Sequence, residues 1–141
     1  MSDRTTPATA VLDSEAVSVI AQPSRRSASI KRAQAVLEVI ERRGGFAVIP
    51  APVIAEVRRG KRASAIDHLL NRLAVVDTDR DVASEAGDLL HRHRLGSAHA
   101  VDALVAATAK EIRPSIILTG DEKDLSRFCN GYHAVTVQAL P

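Results

Sequence analysis

Residues 115–128, SIILTGDEKDLSRF, run an aliphatic segment straight into Thr119, Gly120 and Asp121, with a second acid at Asp124. A short, continuous apolar run bounded by turn residues is the pattern of a strand buried on both faces, the kind found in parallel sheets. Asp121 then has two readings. It either starts the next helix as its cap, or it forms one corner of a charged site.

The chain on either side repeats the alternation. Upstream, SAHAVDALVAATAKE (97–111) predicts an alanine-rich helix with Ser97 as its N-cap. Downstream, DEKDLSRF predicts a short helix and HAVTVQAL (133–140) a final strand. Further strands are expected at TAVLD (9–13), FAVIP (46–50) and LAVVDT (73–78). Between them, SEAVSVIA (14–21) is a short helix or turn. Residues 27–45 carry Ile30, Ala33, Val36, Leu37 and Ile40 at helical spacing, and Gly44-Gly45 stops them. PVIAEVRRG (52–60) opens on a proline suited to a helix start and ends at Gly60. KRASAIDHLLNRL (61–73) and residues 79–94 complete the helices. Apolar strands alternating with helices predict an α/β fold, a parallel sheet covered on both faces. Residues 1–8 are a polar lead-in, and 9–141 is expected to form one domain.

Apolar residues make up 45% of the 141, yet only two Phe, one Tyr and no Trp contribute, so the core must be aliphatic. A single cysteine, Cys129, excludes an internal disulfide framework and fits a reducing compartment; it is expected to be a small packing residue. No signal peptide or membrane span is indicated, and a cytoplasmic location is expected. Charge is uneven. Residues 1–72 hold 12 Lys/Arg against 7 Asp/Glu, and residues 73–141 hold 7 against 10. The basic doublets of the first half fit either solvated helix faces or a polyanion footprint, and composition does not decide between them.

Four acids matter most. Asp13 and Asp121 end predicted strands, the edge where ligands bind in open parallel sheets, although each could equally be a helix cap. Glu56 lies about one turn into its helix, where the helix dipole mildly favours an acid in any case. Asp102 is harder to dismiss, because its helix face is Ala98, His99, Val105, Ala106 and Ala109. An unpaired carboxylate there costs several kcal/mol in order-of-magnitude terms, so it requires an Arg/Lys partner or a metal. If the four converge, they cannot all stay ionised without a counter-cation, and hard oxygen donors suit Mg²⁺ or Mn²⁺. Such an ion polarises a phosphoryl oxygen, while Arg/Lys hold flanking phosphates.

VLDSEA (11–16), VIPAPVIAEV (48–57), VDALVAATA (101–109) and ILTGDEKDL (117–125) together resemble, in order and spacing, the four signature segments of PIN-domain ribonucleases. They are most similar to VapC-type toxins of type II toxin–antitoxin systems. The resemblance spans about residues 10–140. It implies a three-layer α/β/α PIN-like fold with a five-stranded parallel sheet, and Mg²⁺-dependent endoribonuclease activity with Mn²⁺ as a substitute. It also implies an RNA substrate, a VapB-type antitoxin and a homodimer. Asp13, Glu56, Asp102 and Asp121 match the family's metal-site acids, both as catalytic residues and as ligands. Ser14, Thr119 and Asp124 match its auxiliary positions.

Three departures stand out. Glu15 replaces a small polar residue, Leu125 replaces a frequent Phe, and the segment 21–33 is polar and basic. None touches the four acids. The alternatives are a catalytically silent PIN-like module that binds RNA or protein, and a structure-specific or DNA-directed nuclease of the same fold. His91 and His93, two apart on a helix, point in different directions and do not make a zinc site. The aliphatic stripes at 36–40 and 66–73 suit either partner contacts or core packing.

Overall fold

In the computed structural model, which describes residues 7–21 and 27–140, five strands form one sheet in the order β3-β2-β1-β4-β5, every pair parallel. They are β1 (Thr9–Leu12), β2 (Ala47–Pro50), β3 (Ala74–Val76), β4 (Ser115–Thr119) and β5 (Val135–Ala139). The described helices are α1 (Ser14–Ala21), α2 (Ser27–Arg42), α3 (Ala51–Val57), α4 (Ala63–Leu70), α5 (Arg80–Arg92), α6 (Ala100–Glu111) and α7 (Glu122–Cys129). Right-handed crossovers explain the layering. The chain steps outward from β1 to β2 and β3, then returns past β1 to β4 and β5. Helices α1–α4 therefore group together, and α5–α7 form a second group around α6. The result is a three-layer α/β/α fold, as the sequence predicts.

Its centre is the β1–β4 seam. Thr9 pairs with Ser115 and Leu12 with Leu118, and these strands contribute Val11, Leu12, Ile117 and Leu118 with no exposed surface. Burial on both faces explains why β1 and β4 lack polar alternation. Phe128 is the one fully buried aromatic, flanked by the T-shaped ring of His93 at 5.5 Å. Cys129 is also buried, and burial pushes its thiol up to about 12, as a packing residue requires. Ile40, Ile66 and Leu69 from the two aliphatic stripes belong to the core, while Val36, Leu37, Leu70 and Leu73 are half-buried at its margin.

Several boundaries differ from expectation for local reasons. Ser97 is not a helix cap: it opens a 3-10 turn, Ser97–His99, and α6 starts at Ala100 behind His99, with no side-chain cap bond. Helix α3 ends at Val57, three residues before Gly60, and Gly60 begins a second 3-10 turn, Gly60–Arg62. The lead-in predicted at 1–8 lies largely outside the described residues, as do residues 22–26 of the basic segment. No helix among the described residues is long and apolar enough to cross a membrane.

Gly45 earns its place by close approach. A Cβ there would lie 2.2 Å from the Ala8 carbonyl oxygen and 2.8 Å from Ile40 Cγ2. The backbone entering β1 passes directly over it. Gly45→Ala is expected to destabilise the fold by about 1–3 kcal/mol, visible as a lower urea midpoint. An unchanged midpoint would show that this approach can open without cost.

Candidate active site

The doubly wound order creates one switch point, between β1 and β4, where successive connections leave in opposite directions. Asp13 directly follows β1, and Asp121 follows β4 after Gly120. Both therefore stand at the carboxyl edge of the sheet, on either side of that crevice.

Asp13 is 3% exposed and binds both banks. Its Oδ1 accepts from the Ala16 amide at 2.9 Å, capping α1, and its Oδ2 accepts from the Gly120 amide at 3.2 Å. Burial raises its pKa from the ordinary carboxylate range, against the lowering effect of bonds from the Thr119 hydroxyl and these two amides. Thr119 is itself fully buried and uses its hydroxyl twice, because its Oγ1 also accepts the Asp121 amide at 2.7 Å. Asp121 in turn caps α7 by accepting the Asp124 amide at 3.3 Å. Asp13 and Asp121 are thus both caps, and both stand at the carboxyl edge of the sheet.

Asp102 occupies the first turn of α6 and is half-buried. Its pKa is pushed up to about 6, first by burial and then by the charges of Asp121, Asp13, Glu56 and Asp124. No lysine or arginine among the described residues forms an ion pair with it. Among the described residues, the salt-bridge explanation for this acid on an alanine face therefore finds no partner. Oxygens of Asp102, Asp121 and Asp124 all lie within 4.8 Å of one another.

Glu56 is exposed on α3 and accepts a hydrogen bond from the Ser14 hydroxyl, which ties α3 to the start of α1. The four acids expected from the sequence are brought to one edge, but not equivalently. Asp102 and Asp121 share the tight oxygen cluster with Asp124, whereas Asp13 and Glu56 lie outside it and act on Asp102 through space. A close-set group of hard carboxylate oxygens, with no basic side chain on Asp102 or Asp121 among the described residues, fits a divalent metal ion.

His99, named in the sequence only as part of the Asp102 face, is a further neighbour of the cluster. Its Nε2 lies 3.7 Å from Asp124 Oδ2, and its buried Nδ1 has no hydrogen-bond partner. The signal was its position three residues before Asp102, on the same helical face. Arg127 approaches the other Asp124 oxygen at 3.9 Å. Glu15, the added acid at the rim, lays its stem against Gly120, where a Cβ would lie 2.2 Å from Glu15 Cγ.

The PIN domain profile matches residues 10–130. No curated protein is similar enough in sequence to count as a relative. Among solved structures, the chain resembles one from the VapBC2 complex of Rickettsia felis bound to a promoter DNA fragment. That match has a TM-score of 0.69 and 18% identity, covering 94% of this chain and 99% of the other. It also resembles a chain of DNA-bound VapBC from Salmonella typhimurium, with a TM-score of 0.66 and 14% identity, covering 94% and 98%. A third match is to VapBC-5 from Mycobacterium tuberculosis, with a TM-score of 0.57 and 17% identity, covering 95% and 100%. At such identities the likeness is one of fold.

Proposed function

The chain belongs to the PIN domain family, and from that premise we propose that it is a Mg²⁺-dependent endoribonuclease, the VapC-type toxin of a toxin–antitoxin pair. One PIN domain over 9–141 carries the activity, in the cytoplasm, and Mn²⁺ is the alternative ion. The observation that carries this reading is Asp102: it is half-buried, raised to about 6 first by that burial and then by the surrounding carboxylates, and has no basic partner among the described residues. A site that concentrates negative charge in this way is stable in its ionised form only with a cation bound.

Asp102, Asp121 and Asp124 would hold the ion with their clustered oxygens, and Asp13 would complete the ligand set from the β1 side. A divalent ion held there would supply positive charge to polarise a phosphoryl oxygen and lower the pKa of a water. The rest belongs to the chain. Glu56, which accepts a hydrogen bond from the Ser14 hydroxyl, would take a proton from the attacking water. Thr119 fixes Asp13 and the Asp121 backbone in one arrangement, so the ligand oxygens need not reorganise during reaction.

The VapBC likeness supports a VapB-type antitoxin as the partner, and a homodimer is proposed as the working form. The test is cleavage of single-stranded RNA with Mg²⁺, with EDTA, and with DNA of the same sequence in parallel. Cleavage of RNA alone, lost in EDTA and blocked by the protein encoded beside it, is the expected result. RNA left intact under all three conditions would leave only the silent binding module, and cleavage of DNA would move the assignment to the structure-specific nuclease.

A further inference from the structure

We infer that RRGKR, residues 58–62, is the grip by which this chain holds the RNA backbone beside its acid cluster, with Arg58 as the anchor and Arg59, Lys61 and Arg62 on phosphates. The inference rests on the nuclease reading above.

Four cations in five residues form the densest basic stretch of the sequence, and the structure divides their roles. Arg58 is occupied. Its guanidinium forks onto Asp67, with Nε 2.7 Å from Oδ1 and Nη2 2.9 Å from Oδ2, which pins the end of α3 to α4. Arg59 folds back to donate from Nε to the Glu56 carbonyl at 3.0 Å, which keeps its guanidinium on the turn that carries the site's glutamate. Lys61 and Arg62 form no ion pair among the described residues. Between them and Arg59, Gly60 takes φ +54°, and a Cβ there would meet nothing within 4 Å. The tip is therefore fixed at its base and open to solvent at its crest.

Topology sets this cluster apart from the Arg42-Arg43 doublet. Arg42 and Arg43 end α2 just ahead of β2, at the amino edge of the sheet, away from Asp13 and Asp121. Residues 58–62 follow α3, which leaves the carboxyl end of β2 and whose Glu56 is bonded to Ser14 beside Asp13. An RNA strand entering an acidic crevice is repelled by it. Fixed cations one turn from Glu56 offset that repulsion on the phosphates flanking the scissile one. Spacing along a flexible single strand suits three separate point contacts better than a duplex surface does.

The test is anisotropy of a labelled single-stranded RNA across a KCl series, in the Asp102→Asn background so that the RNA stays whole. Three phosphate contacts predict that the R59Q/K61Q/R62Q variant binds on the order of 10- to 100-fold more weakly at about 0.1 M salt. Its slope of log K against log salt should be shallower by about 2. R59K/R62K should keep the parental slope, because the charge is retained, and R42Q/R43Q should leave affinity and slope unchanged. An unmoved slope in the triple variant overturns the grip, as does an equal loss in R42Q/R43Q or a lost slope in R59K/R62K. RNA bound with an unmoved slope sinks the grip alone. A parent that binds no RNA at low salt, with a wild type that cleaves none, sinks the grip and the nuclease reading together.

Discussion

On the proposed nuclease reading, Asp102→Asn is expected to lower RNA cleavage by at least about 10³-fold while leaving the fold intact, the size expected when a charged group central to a transition state is removed. The argument has two halves. Asp102 is the carboxylate on which burial and the fields of Asp13, Glu56, Asp121 and Asp124 all converge, so it contributes most to holding a cation. The same convergence makes its charge a liability when no ion is bound. An amide of nearly the same shape removes that repulsion, so the metal-free variant should melt no earlier than the wild type. Single-turnover cleavage and thermal melts in EDTA measure the two halves separately. Undiminished cleavage would remove Asp102 from the chemistry, and early melting would make it a structural residue.

The second large effect links pH, metal and stability. Asp102 titrates at about 6 in the folded chain against an ordinary 3.8, and Asp13 is shifted in the same direction. Below about pH 4 both states carry the Asp102 proton and the shift costs nothing. As pH rises from about 4 to 6, the folded state holds more protons than the unfolded one. These groups therefore make the metal-free protein progressively less stable, with the full penalty present above about 6. Mg²⁺ reverses that penalty only where the carboxylates are ionised. At about 100 times its dissociation constant it adds about 2.7 kcal/mol, which for a domain of this size is a rise of about 10 °C in melting temperature. The rise should be large near pH 7 and much smaller near pH 5, where protons compete for the same oxygens. Melting curves at the two pH values, with and without Mg²⁺, decide it. Equal rises at both would place the ion elsewhere.

Much of this was legible before any coordinates, and for physical reasons. Ile116, Ile117 and Leu118 could announce a doubly covered strand because continuous burial leaves no polar alternation to misread. Asp102 was conspicuous because an acid among alanines has few innocent explanations. Less legible was whatever depends on side chains meeting across the fold. Asp124 reads alone as a solvated helix residue, yet the first turn of α7 carries it into contact distance of Asp102, a partner 22 positions back. His99 reads in the sequence only as a member of the Asp102 helix face, yet its Nε2 lies 3.7 Å from Asp124 Oδ2, a residue 25 positions on. Arg58 looked like one more member of a basic run; only the α3–α4 geometry reveals that Asp67 already holds it. Boundaries such as the early end of α3 were misjudged because glycine marks a turn without saying whether the helix reaches it.

The bond from the Gly120 amide to Asp13 joins residues 107 positions apart. Contacts of such sequence separation form late, because closing the intervening chain costs entropy that only the assembled core returns. An N-terminal fragment holding Asp13, Glu56 and Asp102 lacks the second bank altogether. The acid crevice therefore has no partial version: it comes into being with the last central strand pairing and disappears with it. For a toxin of the proposed kind, this would couple harm to completion of folding, so that an unfinished or partly unfolded chain carries no assembled site.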